Sequence, residues 1–183
     1  MPRILYAHPA SAGVLWYRFG SMAWRTRIPI VRNLLQFVYA LLMPGFRLYS
    51  GVQIQPRTRI GPGLMILHFG GVVVTEDCEI GENCLLYHNV SIVTMKNRVG
   101  PRIGSNFYAG TGATILGTIT IEDNVTVGAG SVVTKSVPMD AVIAGVPARI
   151  LRFRGLDEHP TENRTGPNRR PGWLSPPATC DVR

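Results

Sequence analysis

Seven positions form a ladder with a step of six: Ile103, Ala109, Ile115, Ile121, Val127, Val133 and Met139. A second inward row runs four residues on in each unit: Phe107, Ala113, Ile119, Val125, Ser131 and Val137. Gly104, Gly110, Gly117, Gly128 and Gly130, with Asn106 and Asn124, stand between these anchors. A period of six suits neither a helix nor a hairpin array, but it suits a chain that turns a corner after every short strand. Three strands and three corners close a triangular coil of about eighteen residues, and coils stack at the strand spacing of roughly 4.8 Å. The pattern therefore predicts an all-β, hexapeptide-repeat parallel β-helix with short helices before it.

The ladder begins earlier, with Ile54, Ile60, Ile66 and Val72, gains two residues, and continues through Val74, Ile80, Leu86 and Ile92. Thr58, Leu64, Cys78, Cys84 and Val90 are the inward companions. The step then fails until Ile103, so Val93 to Arg102 is expected as an extruded loop, and interruptions of a repeat commonly carry function. That loop is expected beside the two histidines considered below.

Three parts are expected: an N-terminal helical cap over residues 1–50, the β-helix over 51–151, and a loosely ordered tail over 152–183 rich in Pro, Arg, Asn and Gly. Gly13 to Arg25 and Ile30 to Met43 suggest two helices, the second with Val31, Leu34, Leu35, Val38 and Leu42 on one stripe between Pro29 and Pro44. Neither is long or apolar enough to span a bilayer, and the opening residues lack the pattern of a cleaved signal peptide. Capping of the first coil is favoured for these helices, with peripheral membrane contact through Trp16, Trp24 and their neighbouring arginines as the alternative. A cytoplasmic location, extending to the inner face of the cell membrane, follows as the expectation.

Charged residues are only 16% of the chain and hydrophobic ones 45%, so partners or further subunits are expected to cover surface. The net charge of +8 is compatible with polyanions or anionic membranes. Its arginines are not interleaved with aromatics on one sheet, so no nucleic-acid partner is expected. Cys78 and Cys84 take small inward positions, which suggests neither a disulfide framework nor a metal site.

His68 stands two residues after Ile66, and His88 two after Leu86, one full turn of three faces later. Both imidazoles therefore fall on the same face of adjacent coils, and imidazole accepts a proton near neutral pH. His8 and His159 lie outside the repeat and carry no assigned role.

Together with the repeat, the run from Pro62 to Val74 (PGLMILHFGGVVV) and the closing Ala144-Gly145-Val146-Pro147-Ala148-Arg149 resemble the left-handed β-helix acyltransferases. The likeness covers about residues 45 to 151 and points to the serine O-acetyltransferase branch, nearest to relatives that O-acetylate exopolysaccharide or other sugars, such as the colanic-acid type. It implies a left hand that the repeat alone does not supply, homotrimers, and acetyl-CoA as co-substrate in a groove between protomers. It also implies that His68 is the general base of a direct transfer, with His88 beside it. Thr111, Gly112, Ala129 and Gly130 would let the pantetheine arm approach the backbone, and Lys135 and Arg149 would meet the phosphates.

Departures from the serine enzymes shape the expected acceptor. Gln53 matches the Asp that orients the histidine and supplies no charge. Leu67 replaces the Asp that meets the serine amine, and Val99-Gly100 replaces the Arg-His pair that serves its carboxylate. A free amino acid needs both charges paired, so the expected acceptor is a hydroxyl of a carbohydrate, in surface-polysaccharide or glycoconjugate assembly of a bacterium. Serine O-acetylation, as in cysteine biosynthesis, is the runner-up. A zinc enzyme on the same scaffold needs three imidazoles, and the repeat offers two. A non-catalytic, membrane-associated β-helix protein is the remaining alternative.

Overall fold

A computed structural model describes residues 9–95 and 99–155 of the 183-residue chain. The expectations for residues 156–183 of the tail, for His8 and His159, and for Lys96, Asn97 and Arg98 in the loop lie outside the described residues.

Two helices, α1 (Pro9–Arg25) and α2 (Pro29–Ser50), precede fifteen short strands. Up to β13, every third strand joins the same sheet. Sheet A contains β1 (Val52–Ile54), β4 (Val72–Val74), β7 (Ser91–Val93), β10 (Thr114–Leu116) and β13 (Val132–Val133). Sheet B contains β2 (Arg59–Ile60), β5 (Glu79–Ile80), β8 (Arg102–Ile103) and β11 (Thr120–Ile121). Sheet C contains β3 (Met65–Ile66), β6 (Leu85–Leu86), β9 (Tyr108–Ala109), β12 (Thr126–Val127), β14 (Ala141–Gly145) and β15 (Ala148–Phe153). All pairings are parallel except β14 with β15, a hairpin that turns the chain back along sheet C.

The six-residue step becomes three apolar stacks inside this parallel β-solenoid. Ile54, Val74, Ile92, Ile115 and Val133 are aligned on sheet A. Ile60, Ile80, Ile103 and Ile121 are aligned on sheet B, and Ile66, Leu86, Ala109, Val127 and Ile143 on sheet C. All are buried. Short coils close because the corners use residues that tolerate the left-handed backbone region: Asn83, Asn106, Asn124 and Asp140 have φ of 53°, 55°, 60° and 61°. Three of these side chains also form a ladder, with Asn106 donating to Asn124 at 3.0 Å and Asn124 donating to Asp140 at 2.9 Å.

Met139 departs from the expected ladder. Val137 bridges to Ile121, and the chain then steps outward, leaving Met139 48% exposed before Ala141 and Ile143 return to the core. The second helix also departs from expectation. It runs through Pro44 to Ser50 and ends at Gly51, which has φ 66° and donates its N–H to the Arg47 carbonyl. Pro44 removes one helical donor but lies on the exposed side, where its ring meets no packed neighbour.

α1 closes the lower end of the column. The Tyr17 hydroxyl donates to the Thr58 carbonyl at 2.8 Å, and Arg18 donates to the carbonyls of Ile60 and Gly61 at 2.7 and 2.5 Å. These bonds occupy carbonyls that an end coil would otherwise leave open. α2 lies on α1 through Trp16, which stacks on Tyr39 and Phe46 with ring centroids 5.1 and 4.1 Å apart.

Cys78 and Cys84 are free thiols inside the column. Burial pushes both upward, and Cys84 reaches about 11 against an ordinary 9.0. The unfolded chain therefore loses these protons first. Stability is fully present below about pH 9 and is lost as pH rises toward about 11. Urea unfolding across that range is expected to show a falling midpoint, with a shallower fall in Cys84→Ala; a wild-type midpoint that stays flat contradicts the burial argument.

Candidate functional site

Strand register gathers most of the candidate residues on one edge of the prism. Each follows a sheet C strand by two or three residues, where the chain turns toward sheet A. Because Ile66, Leu86, Ala109 and Val127 are aligned, His68, His88, Thr111 and Ala129 follow in line. Gly112 and Gly130 form the next column of the same corner, and the Gly112 N–H donates to the His88 carbonyl at 3.1 Å.

The first coil distorts this corner. Ile66 to Val74 contains two more residues than Leu86 to Ile92, and the surplus lies in His68-Phe69-Gly70-Gly71. His68 itself adopts φ 69°, and Gly70 adopts φ 153°. In the coils above, the left-handed position falls one residue later, on Asn89, Gly112 and Gly130. The insertion therefore moves the turn onto the histidine and pushes its ring outward, where it is exposed. Among the described non-glycine residues with positive φ, the others are Asn or Asp, which sets the histidine apart.

The imidazoles of His68 and His88 meet edge to face, with centroids 5.9 Å apart. Tyr87 lies 5.8 Å from His68 and 5.4 Å from Tyr108. Burial, then the hydrogen bond and charge of Tyr87, push Tyr108 up to about 12, so its phenol keeps its proton. His88 Nδ1 is buried and has no hydrogen-bond partner among the described residues. A buried ring nitrogen without a partner carries an uncompensated desolvation cost.

Three expected residues lie elsewhere. Gln53 is in β1 at the foot of sheet A, and its Oε1 accepts from Arg47 Nη2 at 2.5 Å, so α2 holds the amide. Lys135 follows β13 and is exposed at the corner between sheets A and B. Arg149 is exposed in β15 opposite Ala144, one residue before the rung of Ala129. The loop after Val93 corrects a further expectation. It leaves sheet A toward sheet B, whereas both histidines sit where sheet C enters sheet A, so nearness in sequence does not place it beside them in one protomer.

Tyr87 and Tyr108 were not singled out by the sequence. Their signal is nevertheless present: both occupy outward positions on neighbouring coils, Tyr108 opposite Leu85 and Tyr87 two residues further on, beside His88. Among the described residues, no group of three or more His, Cys, Asp or Glu side chains is placed to hold a metal ion.

Residues 100–135 match the family described as bacterial transferase hexapeptide (six repeats). A serine acetyltransferase of Synechococcus elongatus is 32% identical over 168 residues, covering 90% of this chain and 66% of that protein. A solved serine acetyltransferase in complex with CoA superposes with a TM-score of 0.65 at 30% identity, covering 76% of this chain and 55% of the other. Soybean serine acetyltransferase apoenzyme gives 0.55 at 31% identity, covering 81% and 72%. The chain spans less than two thirds of the length of the Synechococcus protein and of the CoA-bound one.

Neighbouring glycines separate the role of this corner from ordinary turn geometry. A Cβ at Gly70 would lie 2.8 Å from the Cβ of His88, whereas one at Gly71 meets only Asn89 Oδ1 at 3.6 Å. Gly70→Ala is expected to lower unfolding stability by about 1–3 kcal/mol and to shift the imidazole NMR signals of both His68 and His88. Gly71→Ala should leave both nearly unchanged.

Proposed function

We propose that this chain, which belongs to the hexapeptide-repeat transferases, is an acetyl-CoA-dependent O-acetyltransferase that uses His68 as general base. The observation that carries this reading is the single corner line on which His68, His88, Thr111 and Ala129 follow one another. A solvent-facing imidazole at one end and a run of small residues beyond it suit a proton acceptor beside a slot for an extended thioester.

An acceptor hydroxyl gives its proton to a ring nitrogen of His68 as its oxygen attacks the thioester carbonyl. The tetrahedral oxyanion then collapses, the C–S bond breaks, and the imidazolium returns the proton to the departing sulfur. No acyl-enzyme is required, because the thioester is already activated and both substrates are held together. His88 meets the His68 ring edge to face at 5.9 Å and acts as a positioning residue for it. Gln53 acts through its bond to Arg47 as a positioning residue of the first coil. Arg149 takes the CoA phosphates on the hairpin above the slot. Lys135, on another edge, serves CoA held by a neighbouring protomer in the left-handed homotrimer expected of the family.

For the acceptor, the relatives named serine acetyltransferase support L-serine. A second reading, a neutral carbohydrate hydroxyl, is favoured by a specific observation. Leu67 stands next to His68, Gln53 is uncharged, and Tyr87, packed at a tilt on Tyr108, sets an aromatic wall beside His68. A free ammonium and carboxylate both need partners when desolvated, and a sugar hydroxyl does not.

Release of CoA thiol from acetyl-CoA, followed with L-serine and with a panel of hexoses and N-acetylhexosamines, tests both readings. His68→Ala is expected to reduce kcat by about 10²–10⁴-fold with CoA binding retained. An unchanged rate removes His68 from the chemistry. Turnover with serine but no sugar supports the first acceptor, and the reverse supports the second.

A further inference from the structure

Helix α2 has its amphipathicity turned inside out. Ile30, Leu34, Phe37, Leu41 and Leu48 recur at helical spacing along one face, and they are 80%, 62%, 66%, 66% and 83% exposed. Pro44 and Gly45 complete that face, which carries no charged side chain. Arg32, Gln36 and Arg47 occupy the opposite side with the aromatic contacts to α1, and Arg47 reaches back to Gln53 in the first coil. A surface helix that leaves a stripe of large apolar residues outward has an unsatisfied hydrophobic face.

The charge around this face indicates what covers it. Eight arginines and no Asp or Glu precede Glu76, so this segment accounts for the whole net charge of +8. Arg25 and Arg27 flank the start of α2, and Arg25, Arg32, Arg57 and Arg59 line a cavity of about 510 Å³ beside Trp24. Among these four, the described ion pairs involve only Arg59, which meets Glu79 at 3.1 Å. A second copy docked face to face would bring the same arginines together. An anionic lipid surface brings phosphates to Arg25 and Arg27 at the start of the helix and hydrocarbon to the apolar stripe. No described helix is long and apolar enough to cross a membrane, so the geometry is that of a helix lying in the interface.

We propose that the outer face of α2, edged by Arg25 and Arg27, docks the protein on the surface of an anionic lipid bilayer, with lipid phosphates meeting those two arginines. This inference does not depend on the acceptor or on the chemistry at His68.

Co-sedimentation of the full-length protein with vesicles tests it. Vesicles holding about 30 mol% phosphatidylglycerol in phosphatidylcholine are expected to bind the protein at least about tenfold more tightly than phosphatidylcholine alone. Leu34→Gln combined with Phe37→Gln and Leu41→Gln replaces exposed residues with good helix formers. It should keep the circular dichroism spectrum and thermal midpoint while losing about tenfold or more of the binding. Arg25→Gln with Arg27→Gln should abolish the preference for anionic lipid.

Failure of the wild-type protein to bind either vesicle overturns the proposal, as does undiminished binding by a folded triple variant. A triple variant that lowers the oligomeric state in sedimentation, with no vesicle binding by the wild type, assigns the face to a second copy and also overturns it.

Discussion

Cohesion in this molecule comes from stacking like upon like along three inner rows. Each strand is two or three residues long for most of the column, too short to persist alone, and each gains its partners only from the coils above and below. Burial of isoleucine, valine and leucine at fixed rungs therefore sets the register of every corner at once. Slipping one strand by a residue would turn its apolar side chain outward and its polar neighbour into the core. The exterior residues, freed from that task, hold their separations to within the spacing of a rigid lattice.

The candidate site depends on a local breach of this order. Adding two residues to one corner leaves Ile66 and Val74 in their stacks, so the surplus must be expelled sideways. The expelled residues are His68 to Gly71; above them the equivalent corner holds His88 and then the small residues Thr111-Gly112 and Ala129-Gly130. The column thus absorbs the distortion on one side only, and an imidazole projects beside a smooth channel. Gly70 is part of this arrangement because any side chain there would strike the rung of His88.

Much of this was legible in the chain. The inward rows from Ile54 to Val133, the corner residues and the alignment of His68 with His88 follow from a period of six and a count of three faces. Met139 breaks the count because periodicity does not register the outward step after Val137, where the parallel coils give way to the final hairpin. The loop after Val93 is close to the histidines in sequence but not in space, because a prism puts consecutive corners on different edges. The stripe of α2 was correctly periodic, but periodicity does not say which side faces the protein. Trp16, Tyr39 and Phe46 decide that by stacking with one another, and they leave the aliphatic side outward. Arg47 binding Gln53 was equally invisible, since it joins a helix end to a strand through side-chain reach alone.

The hairpin at the upper end has a consequence for how such columns coexist in a crowded solution. Parallel rungs are a template for further rungs, and an unprotected terminus would invite another molecule to continue the stack without limit. Here β15 lies on the last parallel strand of sheet C in the opposite direction, presenting an arriving chain with a mismatched hydrogen-bond pattern, while α1 plugs the other end. The same repetition that makes the shaft stiff would otherwise make it a seed for fibres, and a single reversed strand withholds that edge from polymerisation.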